Sequence, residues 1–226
     1  MTSCSSLCTA ARVTPTDPDI LHADDVLLVI DKPAGLLAVP GRGPGKQDCL
    51  SARVQRLYAD ALVVHRLDMA TSGLMLMARG KAAQQALNRA FAQREVHKRY
   101  QAVVHGHLPA PADHWGNIDL PILLDWPRRP MRIIAQESGK PSATRWRVLG
   151  HIGLRSTRVE LEPVTGRSHQ LRVHLLAIGH PILGDPLYCL GDSASASPRL
   201  LLHACEIALT HPASGKPLRF ASTPAF

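Results

Sequence analysis

His65-Arg66-Leu67-Asp68-Met69-Ala70-Thr71-Ser72-Gly73-Leu74-Met75 sets an arginine and a carboxylate two residues apart, directly after the apolar run Ala61-Leu62-Val63-Val64. That run, and the run Gly73-Leu74-Met75-Leu76-Met77-Ala78 that follows, both read as strands. Asp68 therefore falls on the connection between two strands, where a rigid sheet holds a loop and loops carry chemistry. A carboxylate beside a guanidinium is a candidate nucleophile, because the cation favours the ionised form. Taken alone, an aspartate just after a strand is more often a turn former or a helix cap. The rest of the chain has to separate the two readings.

Upstream, Val26-Leu27-Leu28-Val29-Ile30 predicts a buried strand ended by the turn residues Asp31-Lys32-Pro33-Ala34-Gly35, and Leu50 to Tyr58 predicts a short helix. Downstream, Ala83, Leu87 and Phe91 recur every four residues within Lys81 to Val96, which places them on one face of a helix. Arg99 to Gly106 reads as a strand with Tyr100 near its start, followed by a proline-containing connection from Leu108 to Pro130. Alternation predicts strands in Ser142 to Leu149 and Leu154 to Leu161. Thr165 to Leu175 opens with capping residue types and continues with Leu171, Leu175 and Ile178 on one helical face up to Gly179, so Arg167 belongs at or just before a helix start. A small polar loop from Leu190 to Pro198 precedes a last apolar strand, Leu200 to Leu209. Many strands and few helices, not strictly alternating, predict an α+β fold with a mixed, mostly antiparallel sheet flanked by helices rather than a doubly wound sheet.

The chain has 226 residues, 45% of them hydrophobic, enough for one sizeable core. A formal charge of +8, with 26 basic against 18 acidic residues, favours a polyanionic partner. No apolar run is long enough for a membrane span and the basic residues are dispersed, which makes nucleic acid the better match than a membrane surface. The five cysteines are odd in number and far apart, with no Cys-x-x-Cys pair, so neither a disulfide framework nor a zinc knuckle is indicated and a reducing cytoplasmic setting is the expectation. Residues 1–22 read as a flexible tail without the apolar core of a signal peptide. His169 and His174, five apart, point to different helix faces, so no metal site is expected from them.

Three blocks, HRLDMATSG at 65–73, KRYQAVVHG at 98–106 and TGRSHQLRVHLLAIGHPILGD at 165–185, together resemble the RluA family of pseudouridine synthases. The resemblance extends to VIDKPAGLLAVPG at 29–41, DLPILLDWPRRP at 119–130 and LLLHACEIALTHPASG at 200–215, so it spans residues 23–226 in order. It implies one catalytic domain over that span, without a separate N-terminal RNA-binding domain, and an active-site cleft across the sheet.

The activity implied is isomerisation of uridine in RNA: the bond from N1 to C1′ breaks, the uracil turns, and C5 joins C1′. Asp68 matches the family's catalytic aspartate, Arg167 the arginine that pairs with it, and Tyr100 the tyrosine that stacks on the uracil and takes the C5 proton. Arg66 matches the arginine that fills the space left by the flipped base, with a phosphate contact as the alternative. Lys32, Lys98 and Arg172 read as phosphate or structural cations. No metal or cofactor is implied. The short layout with the DLPILLDWPRRP block resembles members acting on stem-loops of both 23S rRNA and tRNA, as monomers. The competing expectations are a non-catalytic RNA-binding or ribosome-assembly protein on the same fold, and a nucleoside hydrolase using Asp68.

Overall fold

The computed structural model describes residues 17–111, 113–189 and 196–226. The tail up to Thr16, with Cys4 and Cys8, and most of the polar loop after Cys189 lie outside the described residues. The sheet begins with β1 (Asp19–Ala23), inside the segment read as a tail, because β1 pairs antiparallel with β2 (Leu27–Lys32).

A helix α1 (Leu50–Leu57) leads to β3 (Ala61–Val63) and β4 (Ser72–Arg79), then α2 (Gly80–Ala92) and β5 (His97–His105). The proline-containing connection turns out to hold β6 (Gly116–Asp119) and β7 (Ile122–Leu124), segments too short to show a period. Next come β8 (Arg132–Ile134), β9 (Ala143–Ile152), β10 (Ser156–Pro163), α3 (Gln170–Ala177), β11 (Leu202–Thr210) and β12 (Pro217–Ala221).

The main sheet runs β1-β2-β4-β11-β5-β10-β9-β6, with β3 on β4 and β12 on β11. Among the described residues only β4 and β11 pair in parallel, so the expected mixed, mostly antiparallel α+β sheet is what forms. Strands β7 and β8 make a separate hairpin.

The unbroken apolar run of β4 is explained by burial on both faces. Leu74, Leu76 and Ala78 pack with Ala83 and Leu87 of α2, whereas Met75 and Met77 pack with Leu50 and Val54 of α1. Under α3, Leu171 and Leu175 meet Tyr100, Ala102, Leu161, Leu202 and Ala204. An irregularity in β11 between Ala204 and Glu206 shifts its side-chain parity, so Leu202 and Ala204 lie under α3 while Ile207 and Leu209 face α2. Helices α2 and α3 thereby share one face of the sheet, with a cleft between the end of α2 and the start of α3.

Candidate active site

The loop from β3 to β4 is fixed by backbone bonds before any side chain is considered. Asp68 O accepts from Thr71 N, and Met69 O accepts from Gly35 N at 2.8 Å and from Lys32 Nζ at 3.1 Å. Lys32 is fully buried, its ammonium also donating to Pro33 O and Leu36 O, and desolvation lowers its pKa to about 8 despite the nearby Asp68 and Asp31. At the other end His65 Nε2 accepts from Leu76 N at 2.8 Å. Burial lowers the pKa of His65 to about 3, so it is a neutral structural acceptor. The close parallel pairing beyond the loop needs Gly73: its φ is 108°, and a Cβ there would lie 2.4 Å from Ala204 O.

Asp68 faces a cleft of about 730 Å³ lined by Arg66, Tyr100, Lys98, Arg167, His169 and Arg172 among others. Its partner is Arg172, whose Nη1 donates to Asp68 Oδ2 at 3.4 Å. Arg172 is in turn gripped by Asp185, which accepts from Nε at 2.7 Å and from Nη2 at 2.6 Å. Asp185 is fully buried and also accepts from the backbone N–H groups of Leu187 and Tyr188. The guanidinium is further bounded by the Tyr188 ring, 4.9 Å from its carbon to the ring centroid. Asp185 thus fixes the fork and leaves one nitrogen for Asp68, which keeps 28% of its side chain exposed to the cleft.

This corrects the expected pairing of Asp68 with Arg167. Arg167 lines the same cleft but is exposed, its Nε donating to Pro141 O at 3.4 Å and its backbone N to Gln170 Oε1 at 3.0 Å. The reason is the start of α3. Gln170 reaches back to accept from Thr165 Oγ1 and donates to Ala143 O, which holds the preceding loop outward. His169 caps the helix in a left-handed conformation, φ 57°, with no side-chain capping bond. Arg172, buried at the third position of α3, points to the core side instead. The carboxylate that ends the same motif, Asp185, was the available sign that Arg172 belongs to a built ion pair.

Tyr100, in β5, is buried beneath the cleft, and desolvation together with the Asp68 charge raises its phenol well above the ordinary value. Arg66 stands exposed on the cleft rim, with no side-chain hydrogen bond or ion pair among the described residues. His169 Nε2 lies 3.9 Å from Asp68 Oδ2 while its Nδ1 meets the Tyr188 hydroxyl at 2.7 Å; burial, with Arg172 and Arg132 nearby, lowers its pKa against the pull of Asp68. His174 is buried elsewhere, between Thr144 Oγ1 and Leu120 O. Among the described residues no group of three or more His, Cys, Asp or Glu side chains is placed to hold a metal ion, and no helix is long and apolar enough to cross a membrane.

A mixed sheet thus carries one aspartate on an inter-strand loop, an arginine fork beside it and a buried tyrosine below, all at one cleft. A family model described as RNA pseudouridylate synthase matches residues 26–177, and the chain belongs to that family of isomerases. It is similar to the "Dual-specificity RNA pseudouridine synthase RluA" of Escherichia coli (strain K12), 49% identical over 92% of this chain and 93% of the relative. The protein of the same name from Pasteurella multocida (strain Pm70) is 49% identical over 94% and 96%. Among solved structures, human RNA pseudouridylate synthase domain containing 1 superposes with a TM-score of 0.76 at 29% identity, covering 93% of this chain and 84% of that one.

Proposed function

We propose that this chain isomerises particular uridines to pseudouridine in stem-loops of 23S rRNA and in tRNA anticodon loops, acting as a cytoplasmic monomer with Asp68 as the reacting carboxylate. The observation that carries the reading is Asp68 itself, partly exposed on the cleft wall and oriented by Arg172, which Asp185 holds rigid. The similarity to relatives named as dual-specificity enzymes supports the two substrate classes.

A stacked uridine cannot bring its glycosidic bond to a carboxylate recessed in a cleft, so the target nucleotide is flipped out, at a cost of a few kcal/mol that is least for a loop base. Arg66 on the rim occupies the vacated stack. Arg167 contacts the phosphate backbone beside it. Inside, the bond from N1 to C1′ breaks and the bond from C5 to C1′ forms; the proton at C5 leaves and N1 gains one, so the atoms balance as an isomerisation. One carboxylate is enough, because the departing base is kept rather than replaced by water, unlike the two that glycoside hydrolysis uses. Tyr100 offers its ring face to the uracil and its hydroxyl to proton transfer.

The test is release of tritium from C5-labelled uridine in a stem-loop RNA by the wild type and by Asp68→Asn. Turnover by the wild type alone, with pseudouridine in the digested RNA, supports the reading. Turnover by Asp68→Asn removes the role of Asp68, free uracil as product reassigns the protein as a hydrolase, and an inert wild type favours a non-catalytic RNA-binding protein.

A further inference from the structure

The hairpin β7–β8 carries a feature that the cleft does not use. Its tip is fixed by Asp125, whose backbone N donates to Met131 O and whose buried carboxylate accepts from Arg128 Nε at 2.6 Å. On this rigid turn Trp126 is 64% exposed, and the Arg129 guanidinium lies 4.1 Å from the Trp126 ring centroid. The other two tryptophans, Trp115 and Trp146, are half-buried. Arg129 has no carboxylate partner among the described residues, so the tip presents an aromatic face and an unneutralised cation together.

The turn end of the hairpin is linked to the Asp68 loop through two side chains, Tyr188 and His169. Arg132 N donates to the Tyr188 hydroxyl at 2.8 Å, that hydroxyl meets His169 Nδ1, and His169 Nε2 lies 3.9 Å from Asp68. Arg132 pairs with Leu124 in the last pair before the turn, and Trp126 lies in that turn, two residues beyond Leu124. Trp126 is not among the residues that line the cleft, so a base stacked on it is a different nucleotide from the one at Asp68.

We infer that Trp126 and Arg129 form a stacking platform for an unpaired loop base of the RNA, outside the catalytic cleft. An exposed indole on a rigid turn costs little conformational entropy to stack, every base has a π-face for it, and the guanidinium adds attraction to the adjoining phosphate. The inference rests on the stem-loop RNA reading above and names where on the protein the loop is held.

The experiment measures binding of a stem-loop RNA, and of a fully paired duplex of equal length, to the wild type, Trp126→Ala, Trp126→Phe and Arg129→Ala. Trp126→Ala is expected to weaken stem-loop binding about 5- to 100-fold, leave duplex binding unchanged, and keep the single-turnover rate at saturating RNA. Trp126→Phe keeps most of the affinity, and Arg129→Ala reduces the salt slope by about one phosphate contact. Wild-type stem-loop affinity in Trp126→Ala, or equal weakening toward stem-loop and duplex, overturns the platform and turns attention to a protein partner for this surface. Failure of the wild type itself to bind the stem-loop removes the substrate reading, and this inference with it.

Discussion

Arg172 Nη1 lies 3.4 Å from Asp68 Oδ2 while the rest of the same guanidinium is clamped by Asp185 at 2.6 and 2.7 Å. The two contacts divide the labour: Asp185, fully buried, sets the orientation of the fork, and Asp68, open to the cleft, receives the remaining donor.

Removing Arg172 therefore has two consequences. Arg172→Ala leaves Asp185 buried without its counter-ion, which costs roughly 3–5 kcal/mol of stability, and it deprives Asp68 of its positioned donor, which lowers the single-turnover rate about a hundredfold or more. Arg172→Lys does not rescue, because an ammonium cannot serve both carboxylates through a planar fork. Denaturant unfolding and tritium release measure the two effects separately. Arg167→Ala, by contrast, weakens RNA binding in a salt-sensitive way and leaves the rate at saturating RNA near that of the wild type.

Tyr100 stays protonated across the working pH range, because burial and the Asp68 charge raise its phenol. The logarithm of the single-turnover rate for wild type and Tyr100→Phe is expected to run parallel between about pH 7 and pH 9, and Tyr100→Leu, which loses the ring face, to be slower than Tyr100→Phe. A wild-type rate that climbs through this window while Tyr100→Phe stays flat would show a phenolate at work.

Asp24 ties the start of β2 to the far end of β11. Against the desolvation that raises it, bonds from Val26 N, His22, Leu27 N and His211 bring its pKa to about 2. A carboxylate depressed on folding adds stability that is fully present above its unfolded value and is lost as pH falls through about 2. With 31% of the side chain exposed, solvent screening reduces this to about 1 kcal/mol. Asp24→Asn should be less stable than wild type by that amount at pH 7, with the difference closing between about pH 4 and pH 2 in denaturant titrations.

Gly73→Ala brings a Cβ to within 2.4 Å of Ala204 O at a backbone φ of 108°. The parallel pairing of β4 with β11 must open next to the Asp68 loop, so both stability and turnover fall, the former by about 3 kcal/mol or more. Unfolding midpoints and tritium release at a temperature where the variant is folded check the two parts.

Strands β2, β3, β4, β5, β9, β10 and β11 and the helices α1, α2 and α3 fall where apolar runs or periodicity put them, because each has a buried face long enough to show in the sequence. Strands β1, β6, β7, β8 and β12 leave no signal in the sequence: each has three to five residues, and the pairing that holds each comes from a neighbour in space. Asp68, Tyr100 and Arg66 are legible as site residues and do line one cleft. Arg167 and Arg172 stand five residues apart in one motif; the resemblance pointed to Arg167, and the pairing with Asp185 that selects Arg172 forms only in three dimensions.

The sequence by itself determined the class of fold and the family and singled out Asp68 as the candidate carboxylate, because apolar runs, turn residues and three spaced blocks are local properties of the chain. Only the tertiary structure decided the charge partner. Gln170 folds back on Thr165 and turns Arg167 outward, while Asp185 and Tyr188, arriving from beyond α3, enclose Arg172 and leave it one free donor for Asp68. Which of two cations meets an anion is set by burial and by the groups that occupy its other hydrogen bonds, and those are supplied from across the fold.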